Sequence, residues 1–243
     1  MQERLATVKK WLQLPEDKRP HLITFYFPEV DHEGHDYGPD SKEVEHAVHF
    51  VDESIGKMQA MLDSLNLPVN IIFLSDHGMV AVDTVNTLKL PQIDTARAVM
   101  SPSDVMIHFY AKDKSYVQPL YQQLKAGATD YEVYLPAETP AHWHYSAADD
   151  RYGRIGDIIV VPKFPKVFAW GTRRVIPGRH GYDVKAVPEM QATFMAWGPK
   201  FKRGKEIKAF ENVHVYALIA RMLGLKTEEP TDSRLRVLKK ICR

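Results

Sequence analysis

A run of aromatic, acidic and imidazole side chains decides the fold of this chain: Phe25-Tyr-Phe-Pro-Glu-Val-Asp-His-Glu-Gly-His-Asp-Tyr-Gly-Pro39. The run overlaps an apolar segment at 21–27, which predicts a buried strand, and its carboxylates and imidazoles come directly after that strand. Loops at the carboxyl ends of strands commonly hold metals and phosphates in α/β proteins. The sequence therefore predicts part of such a site here, with the remaining groups supplied from elsewhere in the chain.

A second apolar run, Val69-Asn-Ile-Ile-Phe-Leu74, is also followed by an acidic and an imidazole side chain, in Ser75-Asp-His-Gly-Met79. Between the two runs, apolar residues at helical spacing predict a helix from about residue 41 to 65, with Ser41 as its N-cap. A parallel strand–helix–strand unit places both strand ends at one edge of a sheet. We therefore expect an α/β fold with both acidic and imidazole clusters at that edge.

The pattern changes between about residues 88 and 148, where prolines separate short apolar segments. This texture predicts a small α+β lobe beside the main sheet. Strands are expected at 104–110, 131–135, 158–161 and 192–197, and helices at 3–14, 115–125 and 213–223.

Composition excludes several classes of protein. The 243 residues, 44% of them hydrophobic, are enough for one large domain or two small ones. Lys and Arg number 32 against 31 Asp and Glu, so we expect no nucleic-acid binding. Cys242 is the single cysteine, which excludes an intramolecular disulfide and a thiolate metal cluster. No apolar run reaches the roughly 18 residues of a membrane span, and no signal-peptide pattern is present.

Three groups of residues are candidates for metal binding. Asp31 and His35, with Gly34 between them, offer the mixed oxygen and nitrogen ligation typical of catalytic zinc, although exposed polar residues show the same spacing. Asp76 and His77 close an apolar strand, where Asp76 could instead cap the next turn. His180 lies between glycines 178 and 181, and it is either a ligand or an ordinary loop residue.

Several segments, in this order, resemble the nucleotide pyrophosphatase/phosphodiesterase family of the alkaline phosphatase superfamily. They are Tyr-x4-Asp-x3-His-x2-Gly-Pro (26–39), Ser-Asp-His-Gly-Met (75–79), Trp-His-Tyr (143–145), Gly-x-His-Gly-Tyr-Asp (178–183) and Glu-Asn-Val-His-Val-Tyr (211–216). The resemblance extends from about residue 5 to 225. It implies a three-layer α/β/α alkaline-phosphatase-like fold with a mostly parallel, truncated sheet and an inserted α+β lobe at about 88–148.

The resemblance also implies two zinc ions that act together in phosphoryl transfer. One ion would be held by Asp31, His35 and His180, and the other by Asp76 and His77 together with an earlier Asp and a nucleophilic Thr or Ser. The implied activity is hydrolysis of phosphodiester or pyrophosphate bonds in nucleotides or related small molecules, in a periplasmic or secreted protein. The ligating histidines must be neutral, so activity should lie on the alkaline side of imidazole titration.

Tyr26 matches the family's aromatic residue that stacks on a nucleobase. Pro28 and Val30 depart from the family's usual Glu and Pro before the metal-binding Asp31, and Tyr26 could instead be one more aromatic residue of an apolar strand. The substrate-binding role of Tyr26 is therefore an expectation from the resemblance alone.

The family's nucleophile and one ligand of its second zinc precede the helix with which this chain begins. Thr24 lies within the predicted strand, where its hydroxyl is badly placed for attack. We therefore expect residues 1–243 to be the C-terminal part of a catalytic domain, with self-association possible through an exposed sheet edge. The alternatives are a catalytically silent metal-binding or interaction module, or another superfamily member such as a phosphonate hydrolase or a phosphoryl-glycan transferase. Those two enzymes are not expected to share the segments at 143–145 and 211–216.

From these expectations, the 243-residue chain by itself should hydrolyse a nitrophenyl ester of a nucleotide negligibly, because it lacks the expected nucleophile. The measurement is release of nitrophenolate by the purified, zinc-loaded chain. A phosphodiesterase with a complete catalytic domain serves as the positive control, and robust turnover by this chain would show that a nucleophile lies within it.

Overall fold

The computed structural model describes residues 1–172, 174–228 and 230–243. The helices are α1 (Gln2–Leu12), α2 (Glu29–Tyr37), α3 (Lys42–Ser64), α4 (Val117–Ala126), α5 (His214–Met222) and α6 (Leu235–Leu238). The strands are β1 (Ile71–Leu74), β2 (Val80–Ala81), β3 (Leu88–Lys89), β4 (Ala98–Ser101), β5 (Ile107–Ala111), β6 (Tyr131–Tyr134), β7 (Ile158–Pro162), β8 (Phe168–Ala169), β9 (Gly178–Arg179) and β10 (Phe194–Trp197). None of the helices in these ranges is long and apolar enough to cross a membrane.

The chain divides into two compact units, which are named here by their place in the sequence. The terminal unit consists of Met1–Glu29, His46–Gly78 and Ala192–Arg243, and the central unit of Val30–Glu45 and Met79–Gln191. Each unit contains both helices and strands, as the predicted α/β class requires.

The terminal unit contains two apolar clusters. In one, α1 and α3 pack together through Val8, Leu12 and Leu62. In the other, α5 and α6 bury Leu218 and Leu238 completely against the sheet formed by β1 and β10. The predicted helices at 41–65 and 213–223 and the predicted strands at 69–74 and 192–197 are confirmed to within a few residues at each end.

The apolar segment at 21–27 differs from the buried strand that the sequence predicts. It belongs to no ladder in the described residues, and its side chains alternate between two environments. Ile23 and Phe25 pack against the α1–α3 cluster, whereas Leu22 is 54% exposed and Tyr26 is 67% exposed. In an extended segment alternate side chains point to opposite faces, so packing on the helices buries only every second one. Pairing in a ladder also requires a neighbouring strand, which the composition of the segment does not specify.

The strand directions also differ from the expected mostly parallel sheet. Strand β1 pairs with β10 in antiparallel register. The segment 21–27 pairs with no strand in the described residues, so the expected parallel strand–helix–strand unit is not formed there. Among the ladders of the described chain, only that between β3 and β8 is parallel. Short connections such as the one between β4 and β5 permit only antiparallel pairing, because a parallel crossover needs a dozen or more residues.

The central unit contains a four-stranded antiparallel sheet in the order β4-β5-β7-β6. Helix α4 packs on this sheet and buries Leu120 and Leu124 against Phe109, Ile158 and Val160. The helix and strands that the sequence predicts for residues 104–135 are present, with β5 beginning three residues later than expected. Because β7 lies between β5 and β6, the sheet extends beyond residue 148, and the extent of a separate lobe stays a prediction.

Asp83 stabilises the turn that follows β2 through hydrogen bonds of its carboxylate. Its carboxylate accepts hydrogen bonds from the backbone N–H groups of Val85 and Asn86 at 3.0 and 2.8 Å, and from the Lys166 ammonium at 2.8 Å. The Asn86 backbone and then the Lys166 ammonium hold the pKa of Asp83 well below its usual range. The folded state is therefore stabilised by the ionised form of this carboxyl.

Replacing Asp83 by Asn should lower the free energy of unfolding at neutral pH. The depressed pKa stabilises the fold above the unfolded-state value of about 3.9, and this stabilisation is lost as pH falls from there through the folded-state pKa. Urea unfolding between pH 7 and pH 3 should show a constant difference between the two proteins down to about pH 5, which narrows below about pH 4. Asp17→Asn, on an exposed turn, is the matched control and should have no effect. If the difference in unfolding free energy between Asp83→Asn and the wild type did not change with pH, it would not come from the lowered pKa of Asp83.

Candidate metal centre

Asp31 and His35 lie on helix α2 and not on the loop that the sequence predicts. Four-residue spacing places both side chains on one face of the helix, with Asp31 Oδ1 3.5 Å from His35 Nε2. The signal for a helix was present in the sequence: Pro28 comes directly before the first helical residue, and the acidic Glu29 and Asp31 lie in the first turn. Gly34 makes room for the Met79 side chain, whose Cε atom would lie 3.3 Å from an added Cβ.

His180 reaches the same carboxylate from strand β9, which ends at Arg179. Its Nε2 atom lies 3.9 Å from Asp31 Oδ1, and the His35 and His180 rings are 5.0 Å apart between centroids. All three side chains belong to the central unit. The structure thus brings together the residues predicted for the first zinc, although zinc binding itself stays a prediction.

The proton on His35 is fixed by a backbone carbonyl. His35 Nδ1 lies 2.9 Å from the carbonyl oxygen of Gly178, and because that oxygen can only accept, Nδ1 donates. In the neutral ring Nε2 then carries a lone pair, and it lies 3.5 Å from a carboxylate oxygen, which also carries lone pairs. Two such atoms attract each other only through a shared cation or proton, and one carboxylate with two imidazoles is a ligand set that suits zinc.

Gly178 is required by the close approach of β9 to α2. A Cβ atom at this position would lie 1.8 Å from the carbonyl oxygen of Gly34 and 2.9 Å from the His35 Cα atom. Strand β9 is held there by its antiparallel pairing with β2, in which Ala81 lies opposite Gly178. The sequence places glycines on both sides of His180, but it does not identify the Gly178 carbonyl as the partner of His35.

Asp76 and His77 follow β1 in the terminal unit. His77 Nδ1 lies 2.9 Å from the carbonyl oxygen of Gly78 and donates to it, so Nε2 is the acceptor atom of the neutral ring. That Nε2 lies 3.6 Å from Asp76 Oδ1, and the Asp76 side chain is 76% exposed. The pair therefore has the same tautomer arrangement as His35, and its metal binding stays a prediction.

Asn212 holds the backbone that precedes this pair. Its side-chain amide donates to the Ser75 carbonyl at 3.1 Å, while Ser75 Oγ accepts from the Thr193 N–H at 2.8 Å. The resemblance singled out the segment at 211–216 without giving Asn212 a role. In the structure, the Asn212 side chain connects the N-terminal end of α5 to the end of β1.

A carboxylate–imidazole pair links the segment at 178–183 to His142, the residue just before the segment at 143–145. His142 Nε2 lies 2.9 and 3.0 Å from the two carboxylate oxygens of Asp183. Burial raises the pKa of Asp183, but hydrogen bonds from the Lys185 backbone N–H and the His142 ring outweigh it and keep that pKa below its ordinary value. No role for His142 follows from the sequence, because no local pattern relates a histidine to a carboxylate 41 positions away.

Tyr26 lies in the terminal unit, on the outward face of the extended segment at 21–27. Tyr26 as a residue is 67% exposed, and its carbonyl oxygen accepts a hydrogen bond from the Arg4 guanidinium. An exposed ring is available for stacking, which is the role implied by the resemblance, and that role stays a prediction.

Comparison with known proteins identifies relatives of this arrangement. The sequence model of a family described as "Type I phosphodiesterase / nucleotide pyrophosphatase" matches residues 1–183. Ectonucleotide pyrophosphatase/phosphodiesterase family member 1 of Mus musculus is 32% identical over 243 aligned residues, covering 92% of this chain and 26% of the mouse protein. Venom phosphodiesterase of Naja atra is 32% identical over 234 residues, covering 92% of this chain and 28% of that protein. An uncharacterized pyrophosphatase/phosphodiesterase of Schizosaccharomyces pombe is 30% identical over 250 residues, covering 94% of this chain and 50% of the yeast protein.

The chain therefore spans between a quarter and a half of the length of these relatives. Among solved structures, murine ectonucleotide pyrophosphatase/phosphodiesterase 5 superposes with a TM-score of 0.86 at 26% identity, covering 100% of this chain and 64% of that one. An inactive variant of the murine protein in complex with AMP gives a TM-score of 0.85 at 26% identity, covering 63% of its chain. This likeness confirms the alkaline-phosphatase-like α/β fold class.

Gly178→Ala should disrupt the contact between α2 and β9, because the added methyl group would overlap the Gly34 carbonyl. We expect a free energy of unfolding lower by about 2 kcal/mol or more, measured by urea denaturation. Gly56→Ala is the matched control: apart from its chain neighbours and the nearby backbone of α3, no atom lies within 4 Å of the added Cβ. This variant should therefore be more stable by about 0.5–1 kcal/mol. Equal stability of Gly178→Ala and the wild type would show that β9 does not need this close approach.

Proposed function

The chain belongs to the type I phosphodiesterase/nucleotide pyrophosphatase family, and from this membership we propose that the protein hydrolyses phosphodiester or pyrophosphate bonds of nucleotides or related small molecules with the help of zinc. The curated relatives carry the names of pyrophosphatases and phosphodiesterases. The observation that carries the proposal is the approach of His35 Nε2 and His180 Nε2 to one Asp31 carboxylate oxygen, at 3.5 and 3.9 Å.

The residues of the central unit each have a defined part in this proposal. Asp31 supplies the only negative charge of the ligand set, so a divalent cation held with two neutral imidazoles keeps a net positive charge toward the substrate. The Gly178 carbonyl holds the Nδ1 proton of His35 and leaves Nε2 for the metal. Side-chain exposures of 26% for His35, 34% for His180 and 38% for Asp31 leave the group accessible to a ligand.

Zinc, when bound, lowers the pKa of a coordinated hydroxyl or water and neutralises charge on phosphoryl oxygens. This accounts for a site without an arginine cluster in its motifs, because the cation and not the protein's side chains would balance the phosphate charge. The chain's own contribution is to orient the ligands and, at His35, to hold the ring proton on Nδ1 so that Nε2 is left for the metal.

Asp76 and His77 are assigned in this proposal to a second zinc ion. The Gly78 carbonyl fixes the proton of His77 on Nδ1, which leaves its Nε2 atom for a metal. Asp76 and His77 offer two ligands where Asp31, His35 and His180 offer three, so the second ion should bind more weakly.

Tyr26 is proposed to stack on the nucleobase of a nucleotide substrate. Its ring is exposed, and the flat face of a tyrosine can cover a base without selecting among bases. One structural relative was solved in complex with AMP, which supports a nucleotide as the class of substrate.

His180→Ala should weaken binding of the first zinc ion. Loss of an outer-shell partner typically lowers metal affinity 10- to 100-fold, so loss of a ligand should lower it by more than about 100-fold. The purified chain is equilibrated with zinc, dialysed and analysed for metal content, and its affinity is measured by competition with a chromophoric chelator. The wild type should retain zinc that the variant loses.

His32→Ala is the matched control, because it lies on the same helix and forms a similar pair. His32 Nε2 is 3.8 Å from Asp36 Oδ2 at the same four-residue spacing, but its side chain is 72% exposed. His32 is not one of the predicted ligands. This variant should retain wild-type zinc affinity. Equal zinc content in the wild type and His180→Ala would refute the assignment of His180.

A further inference from the structure

The segment that carries His180 is attached to its surroundings on both sides of that residue. On the N-terminal side, β9 pairs with β2, and the Arg179 guanidinium donates to the Asp104 carboxylate. On the C-terminal side, Gly181 adopts a φ of +97°, a conformation that favours glycine and turns the chain away from β9. The direction of the His180 side chain therefore depends on attachments at both ends of a short segment.

Two long-range attachments hold the C-terminal side. The Tyr182 ring is buried in the cluster of Val80, Val167, Val187 and Met190, and its hydroxyl donates to the Lys166 carbonyl at 2.8 Å. The second attachment is the pair of His142 and Asp183, which joins residues 41 positions apart in the sequence. The Asp183 carboxylate also accepts from the Lys185 N–H, but that bond closes a local turn and does not tie the segment to another part of the unit.

The geometry of the pair restricts movement of Asp183. His142 Nε2 is nearly equidistant from the two carboxylate oxygens, at 2.9 and 3.0 Å, so a shift of the carboxylate in either direction lengthens one contact. The side chains are only 28% and 20% exposed, which limits competition from water. An ordinary surface hydrogen bond would be exchanged with water at little cost, and this one is shielded.

His142 is itself attached to the core of the central unit. The Glu138 carboxylate, four residues earlier, accepts from the Tyr121 hydroxyl of α4 at 2.9 and 2.7 Å. The neighbouring Trp143 ring packs edge-on against Tyr134 of β6, with centroids 5.4 Å apart. The pair therefore connects the His180 segment to the four-stranded sheet and its helix.

We propose that His142 is a positioning residue for the metal ligand His180, acting through the carboxylate of Asp183. The proposal rests on the proposed zinc site. It also assigns a role to the residue just before the segment at 143–145, because His142 contacts the loop that carries the ligand. His142 does not touch the metal in this scheme. It limits the range of positions of the backbone that carries His180 and so raises zinc affinity without changing the ligands.

The test is zinc affinity of the whole chain, measured by chelator competition, in the wild type, His142→Ala and His142→Gln. We expect His142→Ala to bind zinc about tenfold more weakly, the lower end of the range for groups that orient metal ligands. The Gln side chain keeps an N–H donor for Asp183, so His142→Gln should recover most of the lost affinity. Asp183→Asn retains an acceptor for the Lys185 N–H and should weaken zinc binding even if His142→Ala fails to fold.

Asp149→Ala is the matched control, because it removes the side-chain hydrogen bonds to Ser146 in the following turn without touching His142 or Asp183. It should leave zinc affinity unchanged, and urea unfolding of all variants separates an effect on the fold from an effect on the metal. Unchanged zinc affinity in both His142→Ala and Asp183→Asn would overturn the proposal, as would an equal loss in Asp149→Ala. A wild-type chain that binds no zinc would overturn the proposed metal function as well, whereas zinc binding that is insensitive to both variants overturns this inference alone.

Discussion

The candidate site depends on one close backbone approach, between helix α2 and strand β9. Gly178 lies so near Gly34 that neither a methyl group nor any larger side chain fits between them. This contact brings the Gly178 carbonyl to His35 Nδ1, and it places the next residues of the strand, including His180, beside Asp31. The position of every predicted ligand in the central unit follows from this approach.

The remainder of the central unit holds the two backbones at that distance. Strand β9 is fixed by its ladder with β2, and the cluster around Val80 and Tyr182 packs directly behind the site segment. The four-stranded sheet with α4 forms a separate, fully buried cluster, to which the His142–Asp183 pair provides a connection. The predicted ligands are partly exposed, but the elements that carry them are anchored by buried apolar clusters. A preorganised site requires such rigid support.

The terminal unit shows the same division between a buried support and exposed polar groups. Strand β1 is paired with β10 and covered by α5, and Asp76 and His77 follow directly at its end. Ser75, between strand and pair, is bonded to both Thr193 and Asn212. The local sequence therefore decides which polar side chains follow the strand. Hydrogen bonds from residues more than 100 positions away fix the position of the backbone that carries them.

The sequence by itself determined the α/β class, the long helix α3, the strands β1 and β10, helix α5 and the identity of the candidate ligands, because amphipathic periodicity and ordered motifs are local properties. It did not determine that 21–27 would stay outside any described ladder, that α2 would carry Asp31 and His35, or that β1 would pair antiparallel to β10. Those features depend on which segments meet. The His35 contact with Gly178 joins residues 143 positions apart, and no local pattern specifies such a pairing. Only the tertiary structure decided it, because the close approach is set by the packing of whole elements and the glycines merely permit it.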